Sequence, residues 1–407
     1  MTAATEKNMK FALPEKNYKI LWGMAGIGVI SLAAGFILAA DRAWLTLLST
    51  GYFVLSISLI GLLFAAIQFI AGAKWSVVLR RIPETLATPL YVAAAIIGVV
   101  AIGGALHLNH VYEWADPKIV AGDELLQHKS GYLNMPFFLV RLVIYFAAWF
   151  FLSKLIRKTS AEQDTAKDAA TKSRLVKYSA IYTLLFAYSW LMASIDFVMS
   201  LQPHWFTTMF PVYTFANGWF GTIATMIIIL VTVQKHGGLK DVNEEHLHDL
   251  GKWQFMSVVF WAYIGFSMHM LTWYANMPEE TYLLELRLKG VWKLFTVLLW
   301  LLHFLIPFFI LLSRDIKRTP GRLVKVAWYI LFVSFVDIIW VVHGSALGHA
   351  GAENKVNSFP VGPLEIGAFL GAVGVFGIIF FKSFAKVNEA PTGDVDYEES
   401  RHFHQTF

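Results

Sequence analysis

Residues 44–71 read WLTLLSTGYFVLSISLIGLLFAAIQFIA, an apolar run without one charged side chain. At about 1.5 Å per helical residue the run exceeds the roughly 30 Å of hydrocarbon in a bilayer, so it reads as a membrane-spanning helix. The same criterion finds nine more spans, giving in all 20–40, 44–71, 86–106, 135–156, 178–200, 213–234, 253–275, 291–312, 326–347 and 364–385. Pro83 and Pro136 stand before helices, Pro278 after one, and Gly237, Gly238 and Gly321 fall in loops. The expected fold is an all-α polytopic membrane protein of ten transmembrane helices.

Composition agrees with that reading. Of 407 residues, 57% are hydrophobic and 15% charged, with a mean hydropathy of +0.56, against about 45–50% and about 25% in a soluble domain. A soluble enzyme is excluded. The chain has no cysteine, which removes disulfides, thiolate-bound iron–sulfur clusters, thioether-attached haem and cysteine zinc sites. The net charge of +5 is spread over membrane loops and offers no basic patch for nucleic acid.

Lys and Arg alternate in number from one side of the spans to the other. One side takes 25: the N-terminal lysines, Lys74 with Arg80 and Arg81, seven between Lys154 and Lys177, Lys235, Lys240 and Lys252, five between Arg314 and Lys325, and Lys382, Lys386 and Arg401. The other takes 7: Arg42, Lys118, Lys129, Arg287, Lys289, Lys293 and Lys355, with Arg141 inside a span. The positive-inside rule then makes both termini cytoplasmic. Residues 1–19 and 386–407 become cytoplasmic ends, and loops 107–134 and 343–363 are long enough to dock an outer partner. Residues 157–177 and the tail after Asn388 read as solvated connectors. Lysines before the first span resemble a secretory signal, but its apolar run is too long for one.

Ionisable residues inside spans are costly and mark function or pairing. Toward the outer face lie His107, Arg141, Asp196, His269, His343 and Glu365; His303 and Asp337 lie near the middle, and the inner half has almost none. This asymmetry points to a polar pocket or proton path that opens outward and stops near midplane. Asp196 and Arg141 suit either a structural ion pair or a proton acceptor. His303 precedes Pro307 by four residues, so the helix should bend and free a carbonyl beside the imidazole. Asp337 makes His303 the natural partner in a proton relay. His269 and His343 lie at similar depth, as a bis-His haem would need, although Trp273 near His269 argues against one. His246 and His248, in the acidic run 244–249, look metal-like but stand only two residues apart in an expected loop. Gly367, Gly371, Gly374 and Gly377 form a small-residue stripe for close helix approach, within the chain or against a partner.

Two segments go beyond a generic membrane protein. One is SWLMASIDFVMSLQPHWF at 189–206; the other is DLGK at 249–252 followed by FWAYIGFS at 260–267 and WYANMPEE at 273–280. These resemble the ActF-type subunits of bacterial alternative complex III, a quinol:electron acceptor oxidoreductase, within the NrfD/PsrC-like family of quinone-interacting membrane subunits. The match is specific over residues 180–285, and the ten-span layout extends it across most of the chain.

The resemblance implies a ten-helix domain over 20–385, with one four-helix bundle at about 44–200, a second at about 213–347, and flanking helices 20–40 and 364–385. It implies a bacterial inner-membrane location beside an ActC-like membrane subunit, an iron–sulfur protein, c-type haem subunits and a terminal oxidase, with menaquinol or ubiquinol at or near the chain and no metal cofactor of its own. Asp196 lies inside the matched motif; Arg141, His269, His303, Asp337, His343 and Glu365 rest on depth and chemistry alone. The competing readings are an ion- or proton-coupled secondary transporter and a purely structural membrane anchor.

Overall fold

The computed structural model describes residues 10–166, 168–348 and 356–404. Lys7, Lys167 and Lys355 of the charge pattern, and residues 349–355 of loop 343–363, lie outside the described residues. Among the described residues there is no strand. Ten helices are long and apolar enough to cross a membrane: α1 Glu15–Leu38, α2 Ala40–Ile70, α3 Val77–Ala105, α4 Met135–Ala166, α5 Ala169–Leu201, α6 Phe210–Lys235, α7 Glu244–Trp273, α8 Gly290–Leu312, α9 Pro320–Gly348 and α10 Pro363–Phe384. The chain is an all-α polytopic membrane protein.

Helices that are apolar all round belong in the interior, and α2, α6 and α9 are almost wholly buried. α2 packs on α3 and α5, with α4 on α5; α6 packs on α7 and α9, with α8 on α7 and α9. These are two four-helix groups, joined where α2 and α5 meet α6 and α9. α1 and α10 lie along each other and against α2. The glycine stripe makes that flanking pair possible: a Cβ on Gly28 would collide with the backbone of Gly371, and one on Gly374 would stand 2.5 Å from the carbonyl oxygen of Leu21. The stripe therefore serves packing within the chain.

Several boundaries differ from the sequence reading. α3 begins nine residues before the apolar run at 86, as a 3₁₀ turn at Val77–Leu79 and a helical turn at Arg81–Thr85 that contains Pro83. This draws Arg80, Arg81 and Glu84 into the buried body, so the inner half of the spans is not free of charge. Gly321 lies in the first turn of α9, and Pro278 opens a short helix, Pro278–Leu286.

The stretch 157–177 is no solvated connector. α4 continues to Ala166 and α5 starts at Ala169, where the Asp168 carboxylate accepts from the amide of Thr171; Thr159, Ser160 and Gln163 are buried. Nor is the tail solvated. It crosses the end of the molecule that carries the basic loops, and Asp394 pairs with Arg80, Asp396 with Lys172, and Arg401 with Asp241 at 3.0 Å. The Ser400 hydroxyl accepts from the amide of Val78 and donates to the carbonyl of Trp75. Phe11 packs against Phe381 and Phe384, so both ends of the described chain lie at this basic end. The run 244–249 is the first turn of α7, and His246 is fully buried, with its ring on Asn243 and the carbonyl of Ser400. At the opposite end, loop 107–134 is folded as short helices capped by Asp116 and Asp123, with Trp114 and Leu126 buried beneath.

Two outcomes follow from this packing. Gly371→Val should lower stability by about 1–3 kcal/mol or more, because overpacking here meets backbone, read as an earlier thermal transition in detergent. Although burial opposes it, Arg80 and Lys172 hold the Asp394 carboxyl below the usual carboxylate range, so its stabilising charge is present at neutral pH and lost only as pH falls through that lowered value. Asp394→Asn removes the charge at neutral pH, at a cost of about 3–5 kcal/mol for a broken buried pair. The tail should then become sensitive to limited proteolysis while the wild-type tail resists it.

Candidate functional site

Asp337 sits some 26 Å along α9 from Pro320 and about 17 Å from its other end, inside the second bundle and fully buried. Three facing helices bring groups to it. Tyr213 of α6 donates its hydroxyl to Oδ1 at 2.6 Å, and the Trp261 indole N–H of α7 donates to Oδ2 at 3.0 Å. His303 of α8 places Nδ1 at 3.9 Å from Oδ2. Its ring stacks on Trp261 with centroids 3.7 Å apart and planes within 8°, and Phe220 covers it at 4.0 Å. The expected neighbours are thus brought together, but stacking and not a direct hydrogen bond holds the imidazole, whose ring nitrogens have no hydrogen-bond partner among the described residues.

The kink in α8 has a form the sequence reading did not give. Residues Leu301–Leu305 make a π turn, with bonds from residue i to i+5. Pro307 has no N–H to give to the carbonyl of Leu302, five residues back. The Tyr329 hydroxyl of α9 donates to it at 2.6 Å. The free carbonyl is closed off from the site.

The first bundle holds a matching carboxylate. Asp196 of α5 has 0% exposure and accepts from Arg141 of α4 through both oxygens, at 2.8 and 3.0 Å, and from the Tyr145 hydroxyl at 2.8 Å. The ion-pair geometry is bidentate, the strong form. Arg141 also donates to the carbonyl of Tyr132 and lies over the rings of Tyr132 and Phe137. Burial, with the Asp196 charge adding to it, pushes the Tyr132 phenol up to about 12. Where the two bundles meet, Tyr52 and Ser194 share a hydrogen bond at 2.9 Å, and Thr214 donates to Ser194 at 3.2 Å.

Glu365 and His343 meet at the opposite end through Thr46. Arg42 grips Glu365 with two bonds of 2.7 Å, the amide of Gly362 donates at 2.7 Å, the Thr46 hydroxyl donates at 3.1 Å, and His343 Nε2 lies 3.5 Å from that hydroxyl. Arg42, Trp292, His343 and Ser358 line a cavity of about 270 Å³ there. His269 stays apart, its Nδ1 on the carbonyl of Gly265 and its ring between Trp300 and Trp340.

Four participants were missed in the sequence. Tyr145 and Tyr213 look like ordinary aromatic residues of apolar helices, and Arg42 and Arg287 count as loop cations. Arg287 is 1% exposed. It enters the second bundle from its loop, over the Trp340 ring at 4.1 Å, and donates to the carbonyl of Val341 at 3.3 Å. Burial pushes its guanidinium down to about 10, against the opposing pull of Tyr213 and Asp337. A scan against models of known protein families and a search of curated proteins return no match for the chain.

Arg141→Ala should lower stability by about 3–5 kcal/mol, since Asp196 is left charged and buried, whereas Arg141→Met combined with Asp196→Leu should recover most of that loss. Thermal unfolding of the three proteins in one detergent checks the order.

Proposed function

We propose that this chain is a membrane subunit of a bacterial respiratory quinol:electron acceptor oxidoreductase of the alternative complex III type, in the inner membrane with the basic end cytoplasmic. Its own contribution is proton handling, and a surface on which extracytoplasmic redox subunits sit through loops 107–134 and 343–363. The resemblance of 189–206 and 249–280 to ActF-type subunits supports the reading. The observation that carries it is the repeated arrangement of a buried aspartate with a tyrosine hydroxyl on it, Asp196 with Tyr145 and Asp337 with Tyr213. Carboxylates inside a membrane protein, paired with hydroxyl and imidazole neighbours, are the parts of a proton relay.

In this reading Asp337 is the acceptor at midplane. The His303 imidazole, held in place by the Trp261 and Phe220 rings, is one small movement or one bridging water from exchanging a proton with it. Tyr213 and Trp261 fix the carboxylate's direction. Asp196 is charge-balanced by Arg141 and can direct protons or shape a site for a hydroxyl-bearing ligand such as menaquinol or ubiquinol at the bundle's outer end. Electrons would pass through the iron–sulfur and haem partners, beside an ActC-like subunit and a terminal oxidase. This chain would take no part in electron transfer.

Asp337→Asn separates the readings. It keeps the side-chain shape, with its oxygen able to accept from the Trp261 indole and its NH2 able to donate to the Tyr213 hydroxyl in reversed sense, but cannot take up a proton, so a proton-handling subunit should assemble normally and lose quinol-dependent turnover or its pH dependence. Unchanged turnover with unchanged pH dependence would return the chain to a structural anchor, and substrate exchange by the chain alone in vesicles would make it a transporter. A single cysteine introduced at Ser358 should react only with reagents reaching the extracytoplasmic face.

A further inference from the structure

At the basic end a cavity of about 260 Å³ opens between α3 and α4, lined by Arg81, Glu84, Thr85, Lys154, Arg157, Lys158 and Val387. Its charges are unequal. Glu84 is already engaged, one oxygen accepting from Ser160 at 2.7 Å and lying 3.1 Å from Arg80, the other accepting from Arg81 at 3.1 Å. Lys154 and Arg157 make no ion pair or hydrogen bond among the described residues, and Lys158 has only an exposed Glu162 at 3.9 Å. Arg81 is buried at the wall, and its Nε has no hydrogen-bond partner among the described residues. The site therefore presents an excess of positive charge in a concave space.

Its depth selects the ligand class. Lys154 stands about 28 Å along α4 from Met135, close to the full thickness of a bilayer's hydrocarbon, so the cations lie at headgroup level. Lys154, Arg157 and Lys158 are spaced i, i+3 and i+4 and share one helix face. Phe150 and Phe151, four and three residues before Lys154, continue that face toward the membrane centre, with Phe151 66% exposed. Cations at the interface with aromatic rings directly below them match an amphiphile with an anionic head, and basic pockets between helices on the cytoplasmic side are where such heads are held.

We propose that this pocket seats one anionic phospholipid of the leaflet at the basic end, its phosphate on Lys154, Arg157 and Lys158 and its acyl chains along Phe150 and Phe151. The lipid would brace α3 against α4 beside the cluster in which Arg81 meets Glu84 and Asp164, and it would set a negative charge against cations that outnumber the carboxylates lining the pocket.

Native mass spectrometry of the purified full chain in neutral detergent tests this, with phosphatidylglycerol and phosphatidylcholine of identical acyl chains as probes. One phosphatidylglycerol per chain should be retained, about tenfold or more tightly than phosphatidylcholine. Lys154→Gln with Arg157→Gln should weaken phosphatidylglycerol about thirtyfold and leave phosphatidylcholine unchanged, which also shows that the variant is folded. Lys16→Gln with Lys19→Gln, at the same end on α1, should change neither. Equal retention of the two lipids, or equal loss in the α1 variant, would mean diffuse attraction and overturn the proposal. Displacement of phosphatidylglycerol by an equal concentration of inorganic phosphate would make this a free-anion site and overturn it as well.

Discussion

A guanidinium can enter the apolar body at Arg141 because Asp196 meets it with both carboxylate oxygens and Tyr145 completes the set. Hydrocarbon supplies no hydrogen bonds, so each polar group there must find its partner inside the protein. That constraint organises the whole molecule. Backbone groups satisfy it by forming helices, and side chains satisfy it by pairing across helices: Glu365 with Arg42 joins α10 to α2, Asp337 with Tyr213 and Trp261 joins α9 to α6 and α7, and Asn217 with Ser334 joins α6 to α9. The polar contacts are thus the fixed points around which interchangeable apolar side chains pack.

The two ends of the molecule use the constraint differently. At the basic end, cations are tied into a lattice of carboxylates drawn from α3, α4 and the tail, with Arg81 bound to Glu84, Asp164 and the carbonyl of Ser160. Residues that lie far apart in sequence, such as Arg80 and Asp394, become neighbours. The tail locks the loops between the helices and leaves one cationic pocket open to the membrane interface. At the opposite end aromatic rings join the carboxylates as partners: Arg141, paired with Asp196, also lies over Tyr132, and Arg287 lies over Trp340. Aromatic faces attract a cation through the ring quadrupole.

The broken stretch of α8 illustrates how strain is absorbed. Pro307 denies one backbone donor, the π turn at Leu301–Leu305 moves the vacancy to Leu302, and Tyr329 fills it from the next helix. His303 is carried on that turn, its ring stacked on Trp261. The carbonyl that the proline leaves without an N–H is met from the next helix, and stacking holds the imidazole.

The sequence by itself determined that the chain is helical and polytopic, because span length and the absence of charge are properties of consecutive residues. It also located Asp196, Arg141, His303 and Asp337, since an ionisable residue in an apolar run is conspicuous wherever it points, and it placed Arg141 and Asp196 at one depth because 1.5 Å per residue is enough to compute depth. It could not show that Tyr145 and Tyr213 are the donors to the carboxylates, nor that Arg287 reaches the second bundle from a loop, because an aromatic residue or a loop cation acquires that role only from the helix opposite. The same reason defeated the inner half and the tail: Arg80, Glu84, Asp164 and Asp394 look like solvated charge one at a time, and only tertiary packing, by bringing opposite signs within hydrogen-bond distance, makes it favourable to bury them.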